Sequence, residues 1–165
     1  MAPRLNASGS LHIRLATGDD VAAMVGMINA AFAIETFIDG SRTDERGLAE
    51  MMGKGGFLVA EDQSGRLVAS VYTELRGERG YFGMLAVDPA QQGTGLGRVM
   101  VKAAEDHCRS HGCKHMDITV LSLRTELPPF YRKLGYLETG TEEFHPHRPL
   151  RNGVACHCIL MSKRL

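Results

Sequence analysis

Three glycines stand at alternate positions in the segment QQGTGLGRVM, residues 91–100, where a helical pattern begins. Glycine loses much conformational entropy when it is ordered, so its repeated use at a helix start needs a reason. The first turn of a helix carries unpaired backbone N–H groups and the positive end of the helix dipole. Gly93, Gly95 and Gly97 would let a bulky anion approach those groups. The segment therefore predicts a phosphate or pyrophosphate site, with a tight turn and close helix packing as the alternative.

The residues around the glycines argue against two common kinds of nucleotide site. A P-loop needs G-x-x-x-x-G-K-[ST], and no lysine follows the glycines here. A dinucleotide-binding fingerprint needs G-x-G-x-x-G, and its last glycine is Arg98 in one register and Met100 in the other. That fingerprint also normally opens a fold, whereas this segment lies past the middle of the chain.

The composition is that of a soluble globular protein of ordinary domain size. The chain has 165 residues, of which 44% are hydrophobic and 23% charged. Because 19 basic residues balance 19 acidic ones, we expect neither nucleic acid nor a membrane surface as a partner. No apolar run approaches the length of a transmembrane helix. Residues 1–10 lack an apolar signal core, and we expect a flexible leader there and one domain over residues 11–165.

The cysteines and histidines do not indicate a metal site. Four cysteines are too few for a disulfide scaffold in this chain, so reduced thiols in a cytoplasmic protein are expected. We expect Cys156 and Cys158 to share one strand face with Leu160 as core side chains, since the second ligand pair of a zinc site is missing. The HPH sequence at 145–147 likewise has no matching carboxylate or cysteine partner.

Hydrophobic periodicity predicts strands and helices in a mixed order along the chain. Strands are predicted at 11–17, 56–62, 65–75, 81–89, 115–121, 136–144 and 153–163. Helices are predicted at 19–33, 44–54, 95–112 and 125–136. The long helix between two strands implies a right-handed crossover, so residues 83–87 and 116–120 should run parallel. The fold class is therefore α/β or α+β, as a single domain with a partly antiparallel sheet.

Two motifs resemble the hallmarks of the GNAT acetyltransferases. The stretch Gln92-Gly93-Thr94-Gly95-Leu96-Gly97 is similar to their [QR]-x-x-G-x-[GA] signature, and PFYRKLGY at 129–136 resembles their aromatic–Tyr pair followed by x-x-x-G-[FY]. The order and separation of the two motifs also resemble the family. The resemblance implies a GNAT-like domain whose mixed sheet of about seven strands is flanked by helices, with strands four and five splayed apart. It also implies acetyl-CoA as the co-substrate.

The resemblance assigns cofactor-binding residues by their place in the motifs. The segment that would hold the CoA pyrophosphate comprises Gln92, Gly93, Thr94, Gly95, Leu96, Gly97 and Arg98. Arg98 would add a charge to a phosphate, or else be an ordinary exposed helix arginine. The pantetheine arm would lie along Leu85, Ala86 and Val87 like an extra strand, and the N–H of Leu85 or Val87 would polarise the thioester carbonyl.

One position departs from the family pattern. Many family members carry an asparagine seven residues before the tyrosine of the second motif, and this chain has Arg124. That asparagine often contacts the pantetheine arm. Arg124 is expected to contact CoA phosphate or the substrate, or else to pair with Glu126.

The resemblance implies direct attack of a primary amine, from a small molecule or a peptide, on the thioester. Tyr131 matches the tyrosine that gives a proton to the leaving thiolate, although it could instead only pack against the cofactor. Tyr136 is expected in the core. The glutamate that serves histone-type members as a base falls at Tyr81 here, so that role does not transfer, and Glu74 or a water chain are the alternatives.

Two loops, 34–45 and 144–153, are expected to line the acceptor side. Their charged and histidine side chains are ligand candidates or are simply solvated: Glu35, Asp39, Asp44, His145, His147, Arg148 and Arg151. A non-catalytic acyl-CoA-binding sensor on the same fold is the alternative to an enzyme, and the presence of Tyr131 favours the enzyme. The resemblance also allows a homodimer, which is frequent in the family.

Overall fold

Seven strands form one sheet in the computed structural model, which describes residues 11–165. The leader expected at residues 1–10 lies outside the described residues. The strands are β1 (His12–Leu15), β2 (Gly56–Glu61), β3 (Leu67–Arg76), β4 (Arg79–Val87), β5 (His115–Leu121), β6 (Leu137–Glu143) and β7 (His157–Arg164). The α-helices are α1 (Val21–Phe32), α2 (Glu45–Lys54), α3 (Leu96–Ser110) and α4 (Leu127–Lys133).

The sheet has the order β1-β2-β3-β4-β5-β7-β6, and only the β4–β5 pair is parallel. The predicted order of strands and helices is confirmed, as is the parallel direction of residues 83–87 and 116–120. The prediction for Cys156 is wrong, because β7 begins one residue later, at His157. His157 pairs with Glu143, the last residue of β6, and the chain after Glu143 continues into the 144–153 loop. Cys158 is buried on β7 as expected.

Helices cover both faces of the sheet because each carries an apolar stripe at a spacing of three or four residues. On one face, α1 and α2 bury Met24, Ile28 and Leu48 against β2, β3 and β4. On the other face, α3 buries Met100 and Ala104 in a second core cluster. No helix within residues 11–165 combines the length and apolar character needed to cross a membrane.

The parallel strands β4 and β5 stay together for only a short distance. Residues Arg79–Tyr81 pair with His115–Asp117, and beyond that point β5 is bonded only to β7. On its other edge β4 contains a bulge, since Met84 and Leu85 together lie opposite one residue of β3. Met84 has φ +48° there, which is left-handed. The expected splaying of strands four and five is confirmed, and we call the gap between them the wedge.

The turn after α4 places Tyr136, the last aromatic residue of PFYRKLGY, in the core. The N–H of Tyr136 donates to the carbonyl of Tyr131 at 3.1 Å, which folds the chain back after the helix. Tyr136 is fully buried, and its hydroxyl donates to Glu105 Oε2 at 2.7 Å. Lys163 Nζ donates to the same oxygen at 3.0 Å. The expectation that Tyr136 is a core residue is confirmed.

We predict that Tyr136→Phe lowers the free energy of unfolding by about 1–3 kcal/mol, because buried Glu105 loses a hydrogen-bond donor. Urea denaturation would measure the change. Tyr131→Phe is the matched control, because the Tyr131 hydroxyl has no hydrogen-bond partner among residues 11–165, and it should cost less than about 0.5 kcal/mol. Equal losses in the two variants would contradict the role of the Tyr136–Glu105 bond.

Candidate active site

A short turn carries the chain from β4 into α3. The Asp88 carboxylate fixes its start by accepting hydrogen bonds from the Ala90 N–H at 2.9 Å and from Arg66 Nη2 at 2.7 Å. Gly93 and Gly95 then have φ +79° and +83°, and Gly95 is the residue just before α3. Other L-amino acids adopt this left-handed conformation only with strain. Both glycines are therefore needed for the shape of this turn.

The turn leaves a run of backbone N–H groups without acceptors. Among the described residues, no oxygen accepts a hydrogen bond from the amides of residues 93–98, and no side chain caps α3. The first bond of the helix is made by the Val99 N–H to the Gly95 carbonyl at 3.3 Å. Such a run at a helix N-terminus favours an anion. Arg98 is exposed on the first turn of the helix.

Gly97 serves a different purpose from the two left-handed glycines. A Cβ at Gly97 would lie 3.7 Å from Cζ of Phe130, so α3 packs here against α4. The Phe130 ring in turn lies 5.0 Å from the Tyr131 ring, between centroids. The two sequence motifs therefore meet in space. The turn-and-packing alternative accounts for the positions of these glycines, and the N–H groups that they leave free are those an anion would bind.

The wedge edge of β4 offers further free N–H groups. The Asp88 N–H donates to the Val68 carbonyl on β3 at 2.9 Å, and Ala86 lies opposite Ser70. Successive residues of a strand direct their backbone groups to opposite edges, so the N–H groups of Leu85 and Val87 point into the wedge. β5 has already diverged at this level. The edge can therefore bind carbonyl groups of an extended ligand, which supports the predicted role of residues 85–87.

Tyr131 is buried in α4 but keeps a free hydroxyl. The side chain is 6% exposed, and its ring packs edge-on against Phe82 with 5.9 Å between centroids. Burial raises the pKa of Tyr131 well above its ordinary value, and the nearby Arg124 guanidinium offsets this rise only in part. The phenol is therefore protonated at neutral pH, which is the state a proton donor needs.

Arg124 connects the β5–α4 segment to the loop after α1. Its Nη1 donates to Glu35 Oε2 at 2.8 Å, and its Nε donates to Glu126 Oε1 at 2.6 Å. Glu35 is 7% exposed, so this ion pair lies inside the protein. The expected pairing with Glu126 is confirmed, and Glu35 is a partner that the sequence did not suggest. A contact between Arg124 and CoA stays a prediction, which would have to use the remaining Nη2.

The two acceptor-side loops form one wall. Ile38 and Leu150 form an isolated antiparallel bridge, and Asp39 accepts a hydrogen bond from Arg151 Nε. Arg148 Nη1 donates to the Gly40 carbonyl at 3.0 Å. Asp39 and Arg151 remain exposed to solvent, so a ligand-binding role for these charged side chains stays a prediction. Within residues 11–165, no cluster of three His, Cys, Asp or Glu residues is placed to hold a metal ion.

The candidate base Glu74 is poorly suited to that role. It accepts hydrogen bonds from Arg76 Nε at 2.8 Å and from the Tyr72 hydroxyl at 2.7 Å. The Arg76 bond lowers the pKa of Glu74, and the Tyr72 bond lowers it further. Burial raises the pKa of Tyr81, so this phenol is no better as a base. A water chain is the alternative that this geometry leaves open.

The sequence model of an acetyltransferase (GNAT) domain matches residues 17–148. The chain belongs to the GNAT acetyltransferase family. The resemblance carried by the glycine segment and the PFYRKLGY stretch is therefore confirmed. The matched span includes both motifs and both acceptor-side loops except the end of the second.

Two curated relatives cover part of this GNAT domain. Mycothiol acetyltransferase of Propionibacterium freudenreichii subsp. shermanii is 29% identical over 143 residues, which are 81% of this chain and 46% of that protein. Glucosamine 6-phosphate N-acetyltransferase 1 of Oryza sativa subsp. japonica is 34% identical over 93 residues, 52% of this chain and 54% of that protein. The chain thus spans about half the length of the curated relatives it matches.

Solved structures confirm the GNAT fold over nearly the whole chain. The ribosomal-protein-S18-alanine N-acetyltransferase from Escherichia coli superposes with a TM-score of 0.77 at 20% identity, covering 93% of each chain. The phosphinothricin acetyltransferase from Sinorhizobium meliloti, solved in complex with acetyl-CoA, gives a TM-score of 0.72 at 15% identity. That match covers 94% of this chain and 89% of the other.

Two features of this GNAT site had no signal in the sequence. Met84 adopts a left-handed backbone although methionine has no preference for it, so only the strand register reveals the bulge. Glu35 and Arg124 are 89 positions apart, and nothing local indicates that they pair. Both features depend on contacts between distant parts of the chain.

We predict that Gly95→Glu weakens acetyl-CoA binding by about 100-fold or more, because a carboxylate beside the pyrophosphate costs several kcal/mol. Isothermal titration calorimetry would measure the dissociation constant. Gly65→Glu is the matched control: Gly65 has the same φ of +83° but lies in the β2–β3 turn with open space around it. It should cost similar stability without affecting binding. Equal binding losses in the two variants would contradict the assignment of the anion site.

Proposed function

We propose that this domain transfers the acetyl group of acetyl-CoA to a primary amine of a small molecule or a peptide. One observation carries the proposal: the wedge connects a run of free helix-terminal N–H groups to a buried, protonated Tyr131 whose hydroxyl lacks a partner among residues 11–165. The names of the relatives support it, since one is a mycothiol acetyltransferase and another a glucosamine 6-phosphate N-acetyltransferase.

The backbone supplies the proposed binding groups for acetyl-CoA. The amides of residues 92–98 would hold the pyrophosphate, and Arg98 would add a positive charge to a phosphate. Leu85, Ala86 and Val87 would hydrogen-bond the pantetheine arm along the wedge. The free N–H groups of residues 93–98 and of Leu85 and Val87 support these assignments, whereas the Gln92 N–H donates to the Pro89 carbonyl at 3.4 Å and Ala86 pairs with Ser70 of β3.

The proposed chemistry uses two groups of the chain on one bound thioester. Acetyl-CoA supplies an acetyl group already activated for attack by an amine. The N–H of Leu85 or Val87 donates to the carbonyl oxygen as negative charge develops there during the attack. The Tyr131 hydroxyl then gives its proton to the sulfur as the carbon–sulfur bond breaks. No side chain of the protein needs to act as a nucleophile.

Location and assembly are part of the proposal. The four cysteines are all free thiols, which agrees with the cytoplasmic location expected from the sequence. A homodimer, as is frequent in this family, stays a prediction.

We predict that Tyr131→Phe lowers kcat by about 10²- to 10⁴-fold, since a general acid contributes rate on that scale. Thiol release from acetyl-CoA would be followed with a panel of polyamines, amino acids, aminoglycosides and peptide N-termini. The variant should bind acetyl-CoA as tightly as the wild type. Tyr136→Phe serves as a control tyrosine in the same motif and should keep its kcat. If no amine reacts while acetyl-CoA still raises the melting temperature, the sensor is the correct function.

We also predict a flat alkaline limb in the pH profile of kcat. Because burial raises the pKa of Tyr131, its proton is retained above the ordinary tyrosine value of about 10. The rate with a reactive amine should therefore stay constant between about pH 8 and about pH 10, the ordinary pKa of tyrosine. A decline centred near the ordinary value would show that Tyr131 is not buried in the working complex, or that another group gives the proton.

A further inference from the structure

Arg42 lies in the acceptor wall with no carboxylate bound to it. It is half-buried, and no ion pair or hydrogen bond joins its guanidinium to another of residues 11–165. Its Cζ lies 5.3 Å from the centroid of the Phe32 ring, at the end of α1. A guanidinium withdrawn from water normally has a paired anion, because its desolvation is costly. Arg42 is therefore a half-buried cation without an anionic partner among residues 11–165.

The backbone holds Arg42 in a fixed position. Asn29 of α1 forms two hydrogen bonds with the next residue, Thr43: its Nδ2 donates to the carbonyl at 3.0 Å, and its Oδ1 accepts from the N–H at 2.9 Å. Because the adjacent Thr43 is hydrogen-bonded to α1 and the Arg42 guanidinium packs on Phe32, Arg42 has little freedom to move. The site for an anion is thus preorganised, which reduces the entropy lost on binding.

The carboxylates near Arg42 already have other partners: Asp44 caps α2 by accepting a hydrogen bond from the Gly47 N–H at 2.7 Å, and Glu35 and Asp39 pair with arginines. Glu35 accepts from Arg124 at 2.8 Å, and Asp39 accepts from Arg151. Arg148, on the facing loop, donates to a backbone carbonyl and has no carboxylate partner among the described residues. Arg42 and Arg148 are therefore the two arginines of this wall without a carboxylate partner among the described residues.

Arg42 is electrostatically coupled to Arg148 and to Tyr81. Burial lowers the pKa of Arg42, and the charge of Arg148 lowers it further, whereas Glu35 raises it. Arg42 in turn acts on the pKa of Tyr81, and Tyr81 acts on that of Tyr131. Tyr81 is the last residue of β4 that pairs with β5, and it closes the narrow end of the wedge. The charge of Arg42 therefore acts at the narrow end of the wedge.

We propose that the acceptor amine carries its own anionic group, a carboxylate or a phosphate, which Arg42 and Arg148 bind. This inference rests on the proposed acetyl transfer and specifies its substrate class. A guanidinium presents parallel N–H donors that fit the oxygens of either anion. An amine without such a group would leave both guanidiniums without an anion. The anion therefore decides which amines bind.

The test uses matched pairs of amines that differ only in the anion. Phosphoethanolamine is compared with ethanolamine, and β-alanine with β-alaninamide, by kcat/KM and by calorimetric titration of the CoA-bound protein. At least one anionic amine should exceed its neutral partner by about 10-fold or more, mainly through KM. The pair that shows the preference distinguishes phosphate from carboxylate.

Variants then assign the preference to Arg42. Arg42→Gln should raise KM for the anionic amine by about 10- to 100-fold and leave the neutral amine unchanged, and Arg42→Lys should restore part of the difference. Arg46→Gln is the control, since Arg46 is an exposed arginine of α2 paired with Glu50. It should leave both amines unaffected.

The possible outcomes separate this inference from the proposed function. If an anionic amine binds and Arg42→Gln abolishes binding, but no acetyl transfer occurs, the acetyltransferase function fails and the anion site stands. If neutral amines react as well as anionic ones, the function stands and the anion site is overturned. It is also overturned if no anionic amine binds, or if Arg42→Gln lowers the melting temperature and affects all amines equally, which is the result of a packing role alone.

Discussion

The separation of β4 from β5 is the constraint on which the rest of this domain depends. Each strand is held on its far edge, β4 by β3 and β5 by β7, so the gap is enforced from both sides. Backbone groups inside a protein need partners, and the two inner edges of the wedge have none from each other beyond Tyr81. Such a gap is stable as a place where an extended ligand completes the sheet. The bulge at Met84 and Leu85 lies where β4 borders the gap, and the N–H groups of Leu85 and Val87 face that gap whereas Ala86 pairs with β3.

The wedge also separates the tasks of backbone and side chains. In the proposed binding mode, free amides at the start of α3 and along β4 recognise features that any acyl-CoA shares, without the use of side chains. The walls beyond Tyr81 are built from loops whose charged side chains can differ without changing the sheet. This separation explains why the two motifs could be recognised in the sequence whereas the acceptor could not. The contact between Gly97 and Phe130 is important for the same reason, because it joins the glycine segment proposed to bind CoA to the helix that carries Tyr131.

Sequence reasoning succeeded where structure is locally determined. Periodicity indicated the strands and helices, and the glycine spacing indicated a phosphate site or a tight turn. The fold has a turn there, with left-handed backbone at Gly93 and Gly95. Sequence reasoning failed where register or long-range pairing decides. Cys156 continues an apolar run but lies outside β7, because β6 has already ended opposite it. The sequence does not single out Arg42, and only the folded chain shows that the surrounding carboxylates are bound elsewhere.

The Arg124–Glu35 pair explains how Arg42 can remain available. A buried ion pair contributes little net stability, because desolvation offsets the attraction between its charges. Its effect here is positional: it occupies the Glu35 carboxylate, which would otherwise neutralise Arg42 in the same loop. With the asparagine that many GNAT members have at this position, Glu35 would lack its cation and Arg42 would be its remaining partner. Arg124, where this chain departs from the family pattern, pairs with Glu35, and this pairing leaves Arg42 without a carboxylate partner. A charge on the proposed cofactor side thus determines which charge is available on the proposed acceptor side.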